Sequence, residues 1–219
     1  MSEKLILVTN DDGITSGGIR ALIDVARDYG KVVVVAPDSP QSGMGHAVTL
    51  TKPLHVVKKD LFDGIEAYSC SGTPVDCVKW GVHNVLSNQL PDFCLSGINH
   101  GANNSINILY SGTMSAAMEG AIQGINSIGF SSFDFNEEAK GLRISRQANA
   151  RWIEDFVESK DQFGRKEYQI TGKFVNNDSG EDCDVWALKN GYVSVVPVQF
   201  DLTSHPDLAY LSDNWNLKT

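Results

Sequence analysis

The strongest constraint on this chain lies near its N-terminus. Leu5 to Thr9 is a short apolar, β-branched run that stops at the turn formers Asn10, Asp11, Asp12 and Gly13. From Gly18 to Tyr29 the apolar residues Ile19, Leu22, Ile23 and Ala26 recur at the spacing of one helix face, and Gly30 stands where a C-terminal cap belongs. Lys31 to Ala36 then carries four consecutive valines, the unbroken run of a strand buried on both faces, closed by Pro37. A strand, helix, strand unit with connections this short crosses over right-handed with its strands parallel. An open sheet covered by helices is therefore expected.

The pattern continues beyond that unit. Between His46 and Ser71 apolar residues such as Val48 and Leu50 alternate, and Asp63-Gly64 suits a two-residue hairpin turn. Thr73, Pro74 and Asp76 read as the N-cap, first residue and first-turn acid of a helix whose buried stripe is Val75, Val78, Val82 and Val85. Phe93 to Ser96 is a third core strand, followed by a polar loop from Gly97 to Ser111. Thr113 to Gln123 is a small-residue helix closing at Gly124, and Ser127 to Phe133 a fourth strand. From about Asn136 the chain is more polar, its clearest element a strand-like run from Tyr192 to Phe200 with Pro197 at an edge. The expected class is α/β, a Rossmann-like, mostly parallel sheet flanked by helices. Residues 1–135 are expected to form the Rossmann-like core and 136–219 a β-rich C-terminal extension of the same domain.

Charge and composition narrow the function. Eighteen basic against twenty-seven acidic residues give a net charge of -9, so no general positive field exists to collect a nucleic-acid polymer or an anionic membrane. A phosphate-bearing substrate would have to be held locally. The N-terminal apolar run is too short for a signal peptide or a membrane span, which points to a cytoplasmic protein. Cys70, Cys77, Cys94 and Cys183 form no C-x-x-C and are expected to be reduced. The five histidines form no close pair, so a metal would take oxygen ligands.

Ligands of an open parallel sheet sit beyond the carboxyl ends of its strands. The loops there carry Asp11 and Asp12, then Ser42, then Asn99. Two neighbouring carboxylates repel unless a cation compensates both. With the Ser42 hydroxyl and the Asn99 carboxamide they compose an all-oxygen site of the kind Mg²⁺ or Mn²⁺ accepts. The competing reading is that Asp11 or Asp12 caps the following helix or closes an Asx-turn. Ser111-Gly112-Thr113 opens a helix, where free N–H groups and hydroxyls can cradle an anion, although a plain Ser or Thr cap looks the same in sequence. Asn103 and Asn104 precede that helix and can serve phosphate or a turn. His46 and His100 lie beside these loops, either as proton donors to a leaving group or as surface histidines.

Other chemistries lack their motifs. There is no G-x-G-x-x-G after the first strand, no Walker loop and no G-x-S-x-G elbow. A receiver module would end its third core strand in Asp, whereas Phe93-Cys94-Leu95-Ser96 has none, and a phosphoaspartate phosphatase would show D-x-D.

Asn10-Asp11-Asp12-Gly13, Ala36-Pro37-Asp38 leading to Gln41-Ser42-Gly43, Gly72-Thr73-Pro74-Val75-Asp76, Ser96-Gly97-Ile98-Asn99 and Tyr110-Ser111-Gly112-Thr113 through Glu119-Gly120 together closely resemble the survival protein SurE family. The resemblance runs from Lys4 to Phe135 and resumes at Gly191 to Val195 and Asp201 to Thr203. It implies a metal-dependent phosphohydrolase acting on nucleoside 5′- and 3′-monophosphates, with some action on short polyphosphate. It implies Asp11, Asp12, Ser42 and Asn99 as ligands of one Mg²⁺ or Mn²⁺, and Asn103, Ser111, Gly112 and Thr113 as the phosphate pocket. It also implies a homodimer or homotetramer formed through an exchanged C-terminal hairpin, for which Tyr192 to Phe200 is the expected segment. Between Phe135 and Glu138 this chain departs from the family pattern, passing directly to Gly141-Leu142-Arg143-Ile144 where the family carries a further helix and core strand.

Overall fold

A computed structural model describes residues 3–87, 89–133 and 138–215. In chain order the elements are β1 (Leu5–Thr9), α1 (Gly17–Ala26), β2 (Lys31–Pro37), β3 (Val56–Lys59), β4 (Glu66–Cys70), α2 (Pro74–Trp80) continued by a π turn, β5 (Phe93–His100), a 3-10 turn (Ser105–Leu109), α3 (Gly112–Ile122) and β6 (Asn126–Ser132). These build a six-stranded sheet in the order β3-β4-β2-β1-β5-β6, parallel except for the antiparallel edge pair β3 and β4.

The four valines explain how this sheet is buried. Successive side chains of a strand point to opposite faces, so Val32 and Val34 join Ile6 and Val8 beneath Ile19, Leu22 and Ile23 of α1. Val33 and Val35 join Leu7 and Cys94 on the other face, beneath Cys77 and Val78 of α2 and Ala116 of α3. Each such side chain contributes about 1.5–3 kcal/mol on leaving water. All four cysteines are buried and free.

The start of α2 follows its sequence closely. Thr73 Oγ1 accepts from the Asp76 N–H at 3.1 Å and Asp76 Oδ2 accepts from the Thr73 N–H at 2.9 Å, a reciprocal capping box. The same two side chains reach the loop between β2 and β3: the Thr73 hydroxyl donates to the Ala47 carbonyl at 2.7 Å, and Asp76 Oδ1 accepts from the Thr49 N–H at 3.1 Å.

Elsewhere the chain departs from its sequence reading. Gly30 is no left-handed cap, since α1 ends at Arg27 in right-handed geometry; a Cβ on Gly30 would lie 2.3 Å from the Lys4 carbonyl oxygen, so close approach of the β1 start excludes a side chain there. The β3–β4 hairpin is joined by residues 60–65 instead of a two-residue turn, because Phe62 folds back into the core beside Ala67. The segment from His46 to His55 is irregular, not strand.

The C-terminal part is β7 (Leu142–Ile144), β8 (Ala150–Lys160), β9 (Lys166–Asn176), α4 (Asp184–Lys189), β10 (Val193–Val195) and α5 (His205–Asn214), so it carries helices as well as strands. Tyr192 to Phe200 contributes only the three residues of β10, paired parallel with β7. The long hairpin is β8–β9, in continuous antiparallel register from Ala150 opposite Asn176 to Lys160 opposite Lys166, and nearly all of it is exposed. Its root is held by Arg146, which ion-pairs with Asp178 and Asp182. The boundary at 135 and most of the segment between Phe135 and Glu138 lie outside the described residues. Among the described residues no helix is long and apolar enough to cross a membrane.

Thr73→Ala removes a helix cap and a tie to the β2–β3 loop together. Urea denaturation should show a loss of about 1–2 kcal/mol at unchanged m-value, with Thr73→Ser near wild type.

Candidate active site

Asn10 shapes the turn after β1. Its amide donates to the Gly13 carbonyl at 2.9 Å and to Ser16 Oγ at 2.8 Å, while Ser16 caps α1. Neither aspartate is needed to cap that helix. Asp11 is only 4% exposed and its carboxylate points to the start of α3, where it accepts from the Thr113 hydroxyl and the Thr113 N–H. Only glycine fits at the neighbouring position: a Cβ on Gly112 would lie 2.8 Å from Asp11 Cβ and 3.0 Å from Asp11 Oδ2. Asp12 is half-buried, and its Oδ2 accepts from the His100 N–H at 3.0 Å, drawing in the end of β5. The Gln41 N–H donates to the Asp11 carbonyl at 2.8 Å, drawing in the loop after β2 that carries Ser42. Thus the ends of β1, β2 and β5 and the start of α3 meet at the acidic pair.

The electrostatics of the pair are unbalanced. Burial pushes the Asp11 carboxyl above the usual carboxylate range; the Thr113 hydrogen bond pulls it back, and the Asp12 charge adds to the rise. Among the described residues no Lys or Arg forms an ion pair with either acid. A divalent cation answers that lack. The Asn99 amide donates to the Gly101 carbonyl at 2.8 Å, turning its oxygen the other way. Ser42 lies exposed beside Gly43, which takes a left-handed φ of 73°. No group of three or more His, Cys, Asp and Glu converges among the described residues. The two carboxylates, with neutral oxygens on the neighbouring loops, are of the hard-donor type that Mg²⁺ or Mn²⁺ accepts.

The other expected residues are placed less uniformly. Ser111 Oγ accepts from the Met114 N–H at 3.0 Å as the α3 cap. Thr113 is turned to Asp11, so the positive end of α3 faces the aspartate as well as any incoming anion. The Asn103 amide donates to Ser131 Oγ at 2.8 Å and lines a cavity of about 140 Å³ with Ile108, Met114 and Gln147, on the β6 side of the loop. His46 Nε2 lies 3.1 Å from Glu119 Oε2, so that nitrogen is committed to a carboxylate of α3. Glu119, only 2% exposed, also accepts from Lys79 at 2.7 Å and Gln123 at 2.9 Å. In the sequence it stands only as part of a motif and carries no assigned role, its signal being a single acid among the small and apolar residues of α3.

Asp11→Asn removes a charge that burial and Asp12 both disfavour. The metal-free variant should melt above metal-free wild type in a thermal scan at neutral pH, and a fall in Tm would contradict this account of the Asp11 environment.

Comparison with known proteins places the chain. The family model described as survival protein SurE matches residues 6–180. The 5′-nucleotidase SurE of Cytophaga hutchinsonii is 50% identical over 254 residues, covering 98% of each chain. That of Flavobacterium psychrophilum is 49% identical over 257 residues, covering 99% of each. The crystal structure of the SurE protein from Aquifex aeolicus superposes with a TM-score of 0.77 at 35% identity, covering 95% of this chain and 100% of that one. The first alignment spans 254 positions against a chain of 219 residues, so at least 35 of its positions have no counterpart here. Matched by that family model over most of its length and by relatives at 49–50% identity over nearly all of it, the chain belongs to the survival protein SurE family.

Proposed function

We propose that this protein is a metal-dependent phosphomonoesterase of the cytoplasm, hydrolysing nucleoside 5′- and 3′-monophosphates to nucleoside and phosphate, with short polyphosphate as a further substrate. The observation that carries this reading is the buried Asp11 beside Asp12, paired with no lysine or arginine among the described residues and pressed against a helix start. The relatives at 49–50% identity are named 5′-nucleotidases, which supports the substrate class.

Asp11, Asp12, Ser42 and Asn99 would hold one Mg²⁺ or Mn²⁺. When bound, such an ion neutralises phosphate oxygens and lowers the pKa of an adjacent water. Asp12 is the more open of the two acids and would be the one to take a water proton; Asp11 is engaged by Thr113. The Gly112 N–H and the Ser111 hydroxyl, at the positive end of α3, would stabilise the negative charge that grows on the phosphoryl group. Asn103 would reach the phosphate by leaving Ser131. The bare surface of β8–β9 supports a homodimer or homotetramer built by hairpin exchange, since a hairpin of that length is only marginally stable in water alone.

AMP and GMP supplied with Mn²⁺ should release inorganic phosphate, and EDTA should abolish the release. Asp12→Asn should lower kcat/KM on the order of 100-fold or more, the scale of losing an electrostatic contact to the transition state, with the far-ultraviolet circular dichroism spectrum unchanged. Nucleotide binding without turnover would make the protein a sensor, and normal hydrolysis by Asp12→Asn would refute the ligand assignment.

A further inference from the structure

The loop between β2 and β3 holds Ser42, yet Ser42, Gly43 and Met44 are exposed, and Gly43 and Gly45 both take left-handed φ angles of 73° and 54°. Such a segment has few packing contacts to define it. What fixes it is a short set of hydrogen bonds. The Gln41 N–H reaches the Asp11 carbonyl, and the Gly45 N–H reaches the Tyr110 carbonyl at 3.2 Å, one residue before the α3 cap. Further along, Ala47 and Thr49 are tied to the α2 cap. Between these ties sits His46, whose ring supplies the side-chain anchor of the loop on α3.

Glu119 receives that anchor. It projects from the third turn of α3, the helix whose first turn meets Asp11, and it is buried although it is charged. One carboxylate oxygen takes Lys79 from α2 and Gln123 from α3, which leaves the other for His46. A buried carboxylate satisfied on both oxygens is a rigid point, and removing one partner leaves a cost that the others do not make good. The structure assigns Glu119 as a positioning residue that acts through His46 Nε2 to hold the Ser42–Gly45 turn against α3, and so to present Ser42 to the acidic pair. The last step rests on the proposed metal site; the anchoring itself does not.

Hydrogen exchange of the metal-free protein tests the anchor directly, read at the Gly45 and Gln41 amides, alongside Mn²⁺ binding followed by electron paramagnetic resonance. His46→Gln and Glu119→Gln should each speed exchange at Gly45 about tenfold, the scale of losing one hydrogen bond to a charged group. The double variant should exchange no faster than the faster single, because both act through one contact. Both singles should bind Mn²⁺ more weakly than wild type. Unchanged exchange at Gly45, or a double variant whose effect is the product of the two singles, would overturn the proposal. If Glu119→Gln fails to fold, His46→Gln at its loop position decides the same question: protected Gly45 refutes the anchor. Failure of wild type to bind Mn²⁺ would count against the metal site, and the exchange comparison would still decide the anchor.

Discussion

The arrangement depends on one buried carboxylate. Asp11 leaves the end of β1 and lies under the first turn of α3, where Thr113 gives it two hydrogen bonds and Gly112 gives it room. Burying a charge is costly unless it is paired, and here the helix start and one hydroxyl are the pairing. Because Asp11 cannot move without disturbing α3, its neighbour Asp12 is held at a fixed place, and the His100 N–H closes over it from β5. Elements distant in sequence are brought to one point by the need to satisfy two acids.

The sheet makes that point possible. In the parallel register of β1 with β2 and β5, Ile6 stands beside Val32 and Phe93, and Thr9 beside Ser96, so β1 ends between two strands that run on past it, β2 to Pro37 and β5 to His100. The apolar side chains behind them are sorted to two faces by alternation alone, which leaves the polar ends free to serve a site. Close backbone approaches complete the assembly. A Cβ on Gly18 would fall 1.9 Å from the Ile98 carbonyl oxygen, so the start of α1 can lie against the β5 bend only as glycine. Stability and site geometry thus share the same contacts, and the strain of an uncompensated acid is carried by a core rigid enough to hold it.

Much of this was legible in the residues. The β1–α1–β2 unit follows from a helix-spaced stripe between two apolar runs, and the α2 cap from Thr73 and Asp76 three residues apart. The acidic turn drew attention because two carboxylates stand together where strand ends gather ligands. The rest depended on tertiary context. Phe62 looked like part of a hairpin and instead turned into the core. The long hairpin was hidden because Glu154, Asp155 and Glu158 interrupt both faces of β8, so no alternating apolar pattern marks it. Tyr192 to Phe200 carried a stronger strand signal than its three-residue pairing warrants, since β-propensity records packing that β7 only briefly supplies. The role of Glu119 was not legible for a related reason: it comes from Lys79 and His46, both far away in sequence.

The central proposal is that a divalent cation joins the Asp11 and Asp12 carboxylates. Anomalous scattering from a crystal soaked in manganese at neutral pH measures this most directly. The account predicts a single strong peak within coordination distance of both carboxylates, with Ser42 and Asn99 oxygens beside it. A map with no peak there at saturating manganese would contradict it.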